Sequence, residues 1–377
     1  MNIAILGTRG IPNKYGGYEK LAEYLAVGLA NRGHEITVYN SHNHAHQQAT
    51  WRNINIVHIE DSEFKLGSLG RFIYNYNCIK NLRSKNFDVI LQLDYTTSSL
   101  FGFLFPKNSF VVTLIDAMRG KLVKHSKLMQ QYLPIAEKLA FRNSDLLITD
   151  TLSVKNQILK KHNQESIYIP FGAESVDSFD DQLLNEYQLK RFDYNVLIAK
   201  ITPENRLEVI LDGVVLADLK TRFIVVGNHA NNYAYHLREK YKDVDNISFL
   251  GAIYDNKKLN ALRYYANICF QSNFTYSANL FLLDAMAASS LIVANANDIN
   301  REVLGTDAFY YNDCYDVAKH LIKLRKDSPD IELLIKNNLQ KITTRFNWNR
   351  VIDEYERHLL VGVKKQVKEL QIEQRGS

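Results

Sequence analysis

IAILGTRGIPNKYGGYEKLAEYLAVGLANR, residues 3–32, decides the fold. Four apolar residues, Ile3-Ala4-Ile5-Leu6, lead into the loop GTRGIPNKYGGYEK at 7–20, which carries four glycines along with Arg9, Lys14 and Lys20. Beyond it, Leu21, Tyr24, Leu25, Val27 and Leu29 fall at helical spacing over residues 18–32. A short apolar strand, a glycine loop and an amphipathic helix make the opening unit of a parallel α/β sheet. The loop is not a dinucleotide fingerprint: its spacing is G-x-x-G, five residues, then G-G, not G-x-G-x-x-G. After the second strand, Tyr39-Asn40-Ser41-His42 stands where an acid would grip a ribose, which disfavours a nicotinamide enzyme. Gly16 and Gly17, just ahead of the helix, suit backbone N–H groups approaching an anion at a helix N-terminus. They suit a plain tight turn equally well.

The same alternation runs outward along the chain. Apolar, β-rich runs at 3–6, 35–39, 54–58, 89–93, 110–114, 146–149 and 167–169 are separated by helical patterns. A polar, acidic stretch, ESVDSFDDQLLNEYQLKRFD, reads as a linker with a connecting segment. A second series follows at 194–199, 222–226, 247–250, 268–271 and 291–294, and FNWNRVIDEYERHLLVGVKKQVKELQIEQ reads as a closing helix. The expectation is α/β, with two doubly wound Rossmann-like domains facing a central cleft. One domain spans 1–178 plus the closing helix at about 348–377, the other 179–347. Ligands of such sheets bind at the carboxyl ends of the strands.

Composition narrows the class. The chain has 377 residues, 46% hydrophobic and 23% charged, as expected for a globular protein with about two domains. Cys78, Cys269 and Cys314 are odd in number and widely spaced, which fits neither a disulfide framework nor a zinc site. No window has the apolar length of a membrane span and the N-terminus lacks a signal-peptide pattern, so a cytoplasmic protein is expected. The net charge of +5 lies in the first half: residues 1–178 hold 20 Lys+Arg against 15 Asp+Glu, and the remainder holds 26 of each. That asymmetry suits an N-terminal half approaching an anionic substrate or the inner face of the cell membrane. Nothing points to nucleic acid. His42, His44 and His46 in HNHAHQQ would share one face if they lay on a strand. No carboxylate or cysteine completes a metal set there, so an exposed loop is preferred and no metal is expected.

GTRGIPNKYGGYEKLAEYLA resembles the opening of a bacterial group of retaining glycosyltransferases within glycosyltransferase family 4, found among polysaccharide rhamnosyltransferases. Further blocks resemble that group in order: VVTLIDAMRGKLVK, IAEKLAFRNSDLLITDT, IYIPFGAE, IAKITPENRLEVILDGV, FLGAIYDNKKLNALRYYAN, LLDAMAASS and FNWNRVIDEYERHL. The resemblance implies a GT-B fold, an N-terminal acceptor domain and a C-terminal nucleotide-sugar domain. It also implies transfer of a hexose or deoxyhexose such as rhamnose to a glycan or lipid-diphosphate-linked acceptor. No cofactor is implied beyond the nucleotide-diphosphate sugar as co-substrate, and no metal.

The resemblance also implies roles. Lys200 and Arg206, flanking Pro203-Glu204-Asn205, would neutralise the leaving diphosphate, with Lys200 standing where the group has arginine. Asp116 would orient or deprotonate an acceptor hydroxyl. Gly16, Gly17, Gly227, Ile253, Asn279 and Asp284 would bind donor; Arg9, Lys14 and Arg119 would lie on the acceptor side. The wider family has two glutamates eight positions apart where this chain has Tyr276 and Asp284. A glycine-rich loop becomes Ser277-Ala278-Asn279-Leu280-Phe281. This departure raises an alternative: a catalytically impaired homologue serving as a binding subunit of a glycan-assembly complex.

Overall fold

The computed structural model describes residues 1–13, 16–116, 127–272 and 280–376. The chain divides into two compact units, Met1–Phe171 with Trp348–Ser377, and Gly172–Asn347.

The first unit is built on eight strands: β1 (Asn2–Leu6), β2 (Glu35–Ser41), β3 (Thr50–Trp51), β4 (Ile54–Ile59), β5 (Val89–Gln92), β6 (Phe110–Ile115), β7 (Leu146–Thr149) and β8 (Ile167–Tyr168). Their order is β3-β4-β2-β1-β5-β6-β7-β8, parallel except for the β3–β4 pair. The second unit holds β9 (Tyr194–Ile198), β10 (Arg222–Val226), β11 (Ile247–Gly251), β12 (Cys269–Gln271), β13 (Ile292–Asn295) and β14 (Phe309–Tyr311), in the order β11-β10-β9-β12-β13-β14 and all parallel. Both are doubly wound sheets, reversing direction between β1 and β5 and between β9 and β12. Helices cover the sheets, so the central strands are buried throughout, β5, β6 and β9 along their full length. This burial is why they read as continuous apolar runs. The sequence did not reveal β3 or β14. β3 is only two residues long, and the FYY of β14 carries no alternation.

Four helices place the features used below: α1 (Gly17–Asn31), α2 (Ser68–Arg83), α3 (Leu207–Ala217) and α4 (Leu280–Ala287). The closing helix, α5 (Trp348–Gly376), belongs to the first unit. Leu21, Ala22, Leu25, Ala26 and Leu29 bury one face of α1, while Gly28 leaves room for the Ile352 side chain of α5. Tyr24 stacks on Trp348 with ring centroids 4.1 Å apart. Glu356 accepts from Arg32 at 2.7 Å and pairs with His34 at 2.8 Å. Burial alone would raise the Glu356 pKa, but these bonds outweigh it and hold the carboxyl below its ordinary value. A carboxylate with a depressed folded pKa stabilises above its unfolded pKa and loses that contribution as pH falls. We therefore expect the α1–α5 contact to loosen as pH drops below about 4.5, seen as a change in Trp348 fluorescence. Glu356→Gln should flatten that transition; an unchanged acid titration in the variant would contradict the assignment.

The acidic stretch before β9 is not a loose linker. Its middle forms a 3-10 helix, Asp181–Tyr187, that buries Leu184. Phe179 stacks on Tyr264 at 3.8 Å, and its carbonyl accepts from the Tyr265 hydroxyl at 2.9 Å. Aromatic packing thus fastens it to the second unit, a tertiary effect that polar composition conceals.

Candidate functional site

In the first unit the glycine loop leaves the carboxyl end of β1, at the reversal between β1 and β5. Gly7, with φ +86°, has no space for a Cβ because the backbone of Asp94 lies against it. The loop is fastened by its own helix. Glu19 accepts from the Arg9 amide at 2.9 Å and from the Thr8 hydroxyl at 3.4 Å, and Glu23 accepts from the Asn13 amide. Asn40 on β2 bonds Ile11 twice, accepting from its amide at 3.1 Å and donating to its carbonyl at 2.8 Å. One anion held by this loop is therefore internal, the carboxylate of Glu19. Gly16, with φ +118°, precedes the first turn of α1 and leaves no room for a Cβ beside that carboxylate. Arg9 pairs with Asp61 at 3.0 Å and with Glu63. Lys14 and Arg119 lie outside the described residues.

Three aspartates follow three adjacent strands on this edge: Asp94 after β5, Asp116 after β6 and Asp150 after β7. The Tyr18 hydroxyl donates to Asp116. Burial first, then Asp116, Asp94 and Asp150, push the Tyr18 phenol well above its ordinary pKa. Asp116 thus stands on the carboxyl edge within a carboxylate group that includes Asp94 and Asp150. Those two escaped the sequence reading because only the parallel order of β5, β6 and β7 brings them together. The three histidines do not share a strand face, since β2 ends at Ser41. His42 Nδ1 accepts from the Asp61 amide at 2.7 Å, and His44 Nδ1 from the His46 amide at 3.2 Å. Among the described residues, no group of three His, Cys, Asp or Glu side chains is arranged to hold a metal.

In the second unit Lys200 lies just beyond β9, at the reversal between β9 and β12, on an exposed turn. Asn205 donates to its carbonyl at 2.6 Å and closes the turn. Arg206 has φ +46° and begins α3. Its guanidinium lies close enough to Tyr311 to offset part of the rise that burial imposes on that phenol. The Tyr311 hydroxyl donates at 3.1 Å to the carbonyl of Gln271, the last residue of β12. Arg206 and Lys200 therefore belong to one carboxyl-edge turn.

Gly227 donates at 2.9 Å to the Gly251 carbonyl, and a Cβ on it would run into the Ala199 carbonyl. The ends of β9, β10 and β11 are pinned together there. We expect Gly227→Ala to push the Ala199–Ile201 backbone outward and destabilise the second unit by about 1–3 kcal/mol. Scanning calorimetry checks this; an unchanged Tm would show that the edge yields to the added methyl. Ile253 is half-buried two residues past β11. The His229 ring lies beside Gly251, with Nδ1 buried and unbonded among the described residues.

Asp284 on α4 faces a partner that the sequence did not announce. Arg263, only 2% exposed, has its guanidinium 3.5 Å from the Asp284 carboxylate and donates to Asn260 at 3.1 Å. An arginine in the helical pattern LNALRYY reads as a solvent-facing residue, so this burial left no signal. Asn279 lies outside the described residues.

Residues 1–174 match a family described as "Domain of unknown function (DUF1972)". The chain is 20% identical over 365 residues to an O-antigen chain mannosyltransferase C of Escherichia coli, covering 91% of this chain and 94% of that one. It is 23% identical over 297 residues to an alpha-monoglucosyldiacylglycerol synthase of Acholeplasma laidlawii, covering 71% and 73%. Among solved structures, a sucrose-phosphate synthase from Thermosynechococcus elongatus superposes with TM-score 0.79 at 17% identity, over 96% of this chain and 99% of that one. Anabaena HepE, in complex with UDP and glucose, gives TM-score 0.76 at 15% identity over 96% and 100%. At these identities the likeness carries architecture, and the architecture of this chain is the GT-B fold of two Rossmann-like units.

Proposed function

We propose that the protein is a glycosyltransferase that takes a hexose or deoxyhexose, rhamnose among them, from a nucleotide-diphosphate sugar. It passes the sugar to a glycan or lipid-diphosphate-linked acceptor in surface polysaccharide synthesis, without a metal and with retention of configuration. One observation carries the reading furthest: the turn bearing Lys200 and Arg206 at the strand-order reversal of a GT-B second unit. In this account the second unit is the nucleotide-sugar domain. Lys200 and Arg206 neutralise the diphosphate as the anomeric carbon–oxygen bond breaks. Gly227 and Ile253 border the nucleotide, and Asp284, oriented by Arg263, receives a ribose hydroxyl. The first unit takes the acceptor. Asp116 orients its hydroxyl, with Asp94 and Asp150 on the same edge as further hydrogen-bond acceptors. The acceptor proton leaves to a phosphate oxygen of the departing nucleotide.

A thermal-shift screen against UDP-, GDP-, CDP- and dTDP-sugars tests this. A donor at about 100 times its Kd stabilises by about 2.7 kcal/mol through mass action. The account expects one nucleotide class to shift Tm and to be hydrolysed slowly. A shift without hydrolysis or transfer would favour the binding-subunit alternative, and no shift with any nucleotide would overturn the reading.

A further inference from the structure

We propose that the exposed face of α2, with the neighbouring 3-10 segment Ser98–Leu104, is a docking surface for an anionic membrane. The proposal deepens the reading above, resting on it only for the statement that a lipid-held acceptor arrives at the first unit.

The first observation is an uncovered apolar patch. Phe64 is 97% exposed, Phe103 74% and Leu69 68%; Leu66, Ile73, Tyr76 and Leu100 are also exposed. Leu69, Ile73 and Tyr76 fall at i, i+4 and i+7 of α2 and share one face. The other face is spent on the core through Tyr74, Cys78 and Leu82. Tyr76 meets Phe101 edge-on with centroids 5.3 Å apart, joining α2 to the 3-10 segment. Isolated exposed apolar residues need no explanation, but an apolar stripe along one helix face, with further exposed apolar side chains on the neighbouring segments, marks an interaction surface.

The second observation selects the partner. Residues 64–87 contain Lys65, Arg71, Lys80, Arg83 and Lys85 and no acidic residue. Lys80 and Arg83 continue the Leu69-Ile73-Tyr76 stripe at i+11 and i+14. Arg71 is paired with Glu63 at 2.9 Å, but among the described residues Lys65, Lys80, Arg83 and Lys85 stand in no ion pair. Lys107 adds a further exposed charge beyond the 3-10 segment. An apolar stripe along α2 continued by cations that stand in no ion pair complements a lipid interface with anionic headgroups. A protein partner of ordinary mixed charge gains nothing from such an excess. The surface also reaches the loop edge of the sheet, because Phe64 adjoins Glu63, which pairs with Arg9 of the glycine loop. Among the described residues no helix is long and apolar enough to cross a membrane, so this contact would be peripheral.

Sedimentation of the full chain with large vesicles tests the proposal, comparing phosphatidylcholine alone with phosphatidylcholine containing about one-third phosphatidylglycerol. The expected result is binding to the anionic vesicles, weakened by high salt. Phe64→Ser with Phe103→Ser should lower partitioning at least tenfold, as expected for two rings kept out of the interface. Lys80→Ala and Arg83→Ala should each lower it about fivefold. All four side chains are exposed, so circular dichroism and lipid-free donor hydrolysis should match wild type. Failure to bind anionic vesicles, or variants that bind as wild type, would overturn the proposal. So would lipid-free self-association abolished by the Phe64 and Phe103 changes, which would make the patch an interface between copies. Vesicle binding is read without donor, so a protein that binds vesicles yet turns over no donor refutes only the functional reading.

Discussion

Replacing Lys200 with alanine and Arg206 with asparagine together is expected to lower donor turnover at saturating donor about a thousand-fold, with little change in Tm. The size follows from electrostatics: removing one preorganised donor that faces developing charge costs about 100- to 1,000-fold in kcat. In the proposed account the two groups serve one diphosphate, so their losses should combine less than additively. Asparagine suits position 206 because Arg206 has φ +46°, a backbone conformation that asparagine tolerates and alanine resists. The variant therefore removes charge without adding strain. Arg206→Lys should recover only part of the rate, since a point charge cannot reproduce a two-pronged grip on phosphate. Initial rates of nucleotide release measure all of this. A double variant within threefold of wild type would remove these residues from the chemistry and leave the fold untouched.

Asp284→Ala should destabilise the second unit by about 2–3 kcal/mol. Breaking a buried ion pair from one side costs about 3–5 kcal/mol because the remaining charge is stranded. Asp284 is itself 25% exposed, and solvent screening brings the figure down. The stranded group would be Arg263, 2% exposed, its guanidinium left with Asn260 as its other described hydrogen-bond partner. For a unit of this size that loss is a fall of roughly 4–12 °C in Tm by scanning calorimetry. Asp284→Ala combined with Arg263→Met should recover most of it, since both the charge and its need for a partner are gone. Donor affinity separates the roles: in the proposed account the double variant should regain stability but not donor affinity. An Asp284→Ala protein melting within 1 °C of wild type would show that Arg263 does not depend on this carboxylate.

The architecture was legible because its strands are buried on both faces. Runs such as FVV at β6 and VLI at β9 stay apolar through consecutive positions, and the intervening helices keep a period near four. Elements without that burial stayed hidden: two-residue β3 at a sheet edge, and β14. The candidate site was legible where its placement depends on chain position. Lys200 and Arg206 follow a strand and precede a helix, which the sequence displays directly. It was illegible where it depends on distant segments meeting. Glu19 lies in the first turn of α1, and its carboxylate spans back to the amide of Arg9. The resemblance puts Arg9 on the acceptor side, and only the fold shows that Asp61 and Glu63 pair with it. Asp94, Asp116 and Asp150 are more than twenty residues apart in sequence, and only the order β5-β6-β7 aligns them.

A crystal structure of the protein soaked with the nucleoside diphosphate that raises Tm most tests the central claim most directly. The account predicts the diphosphate at the carboxyl edge of β9 and β12, within hydrogen-bond distance of Lys200 Nζ and the Arg206 guanidinium, with the nucleoside running toward Gly227 and Ile253. Density for the nucleotide on the glycine loop of the first unit, with the turn at Lys200 and Arg206 empty, would contradict it.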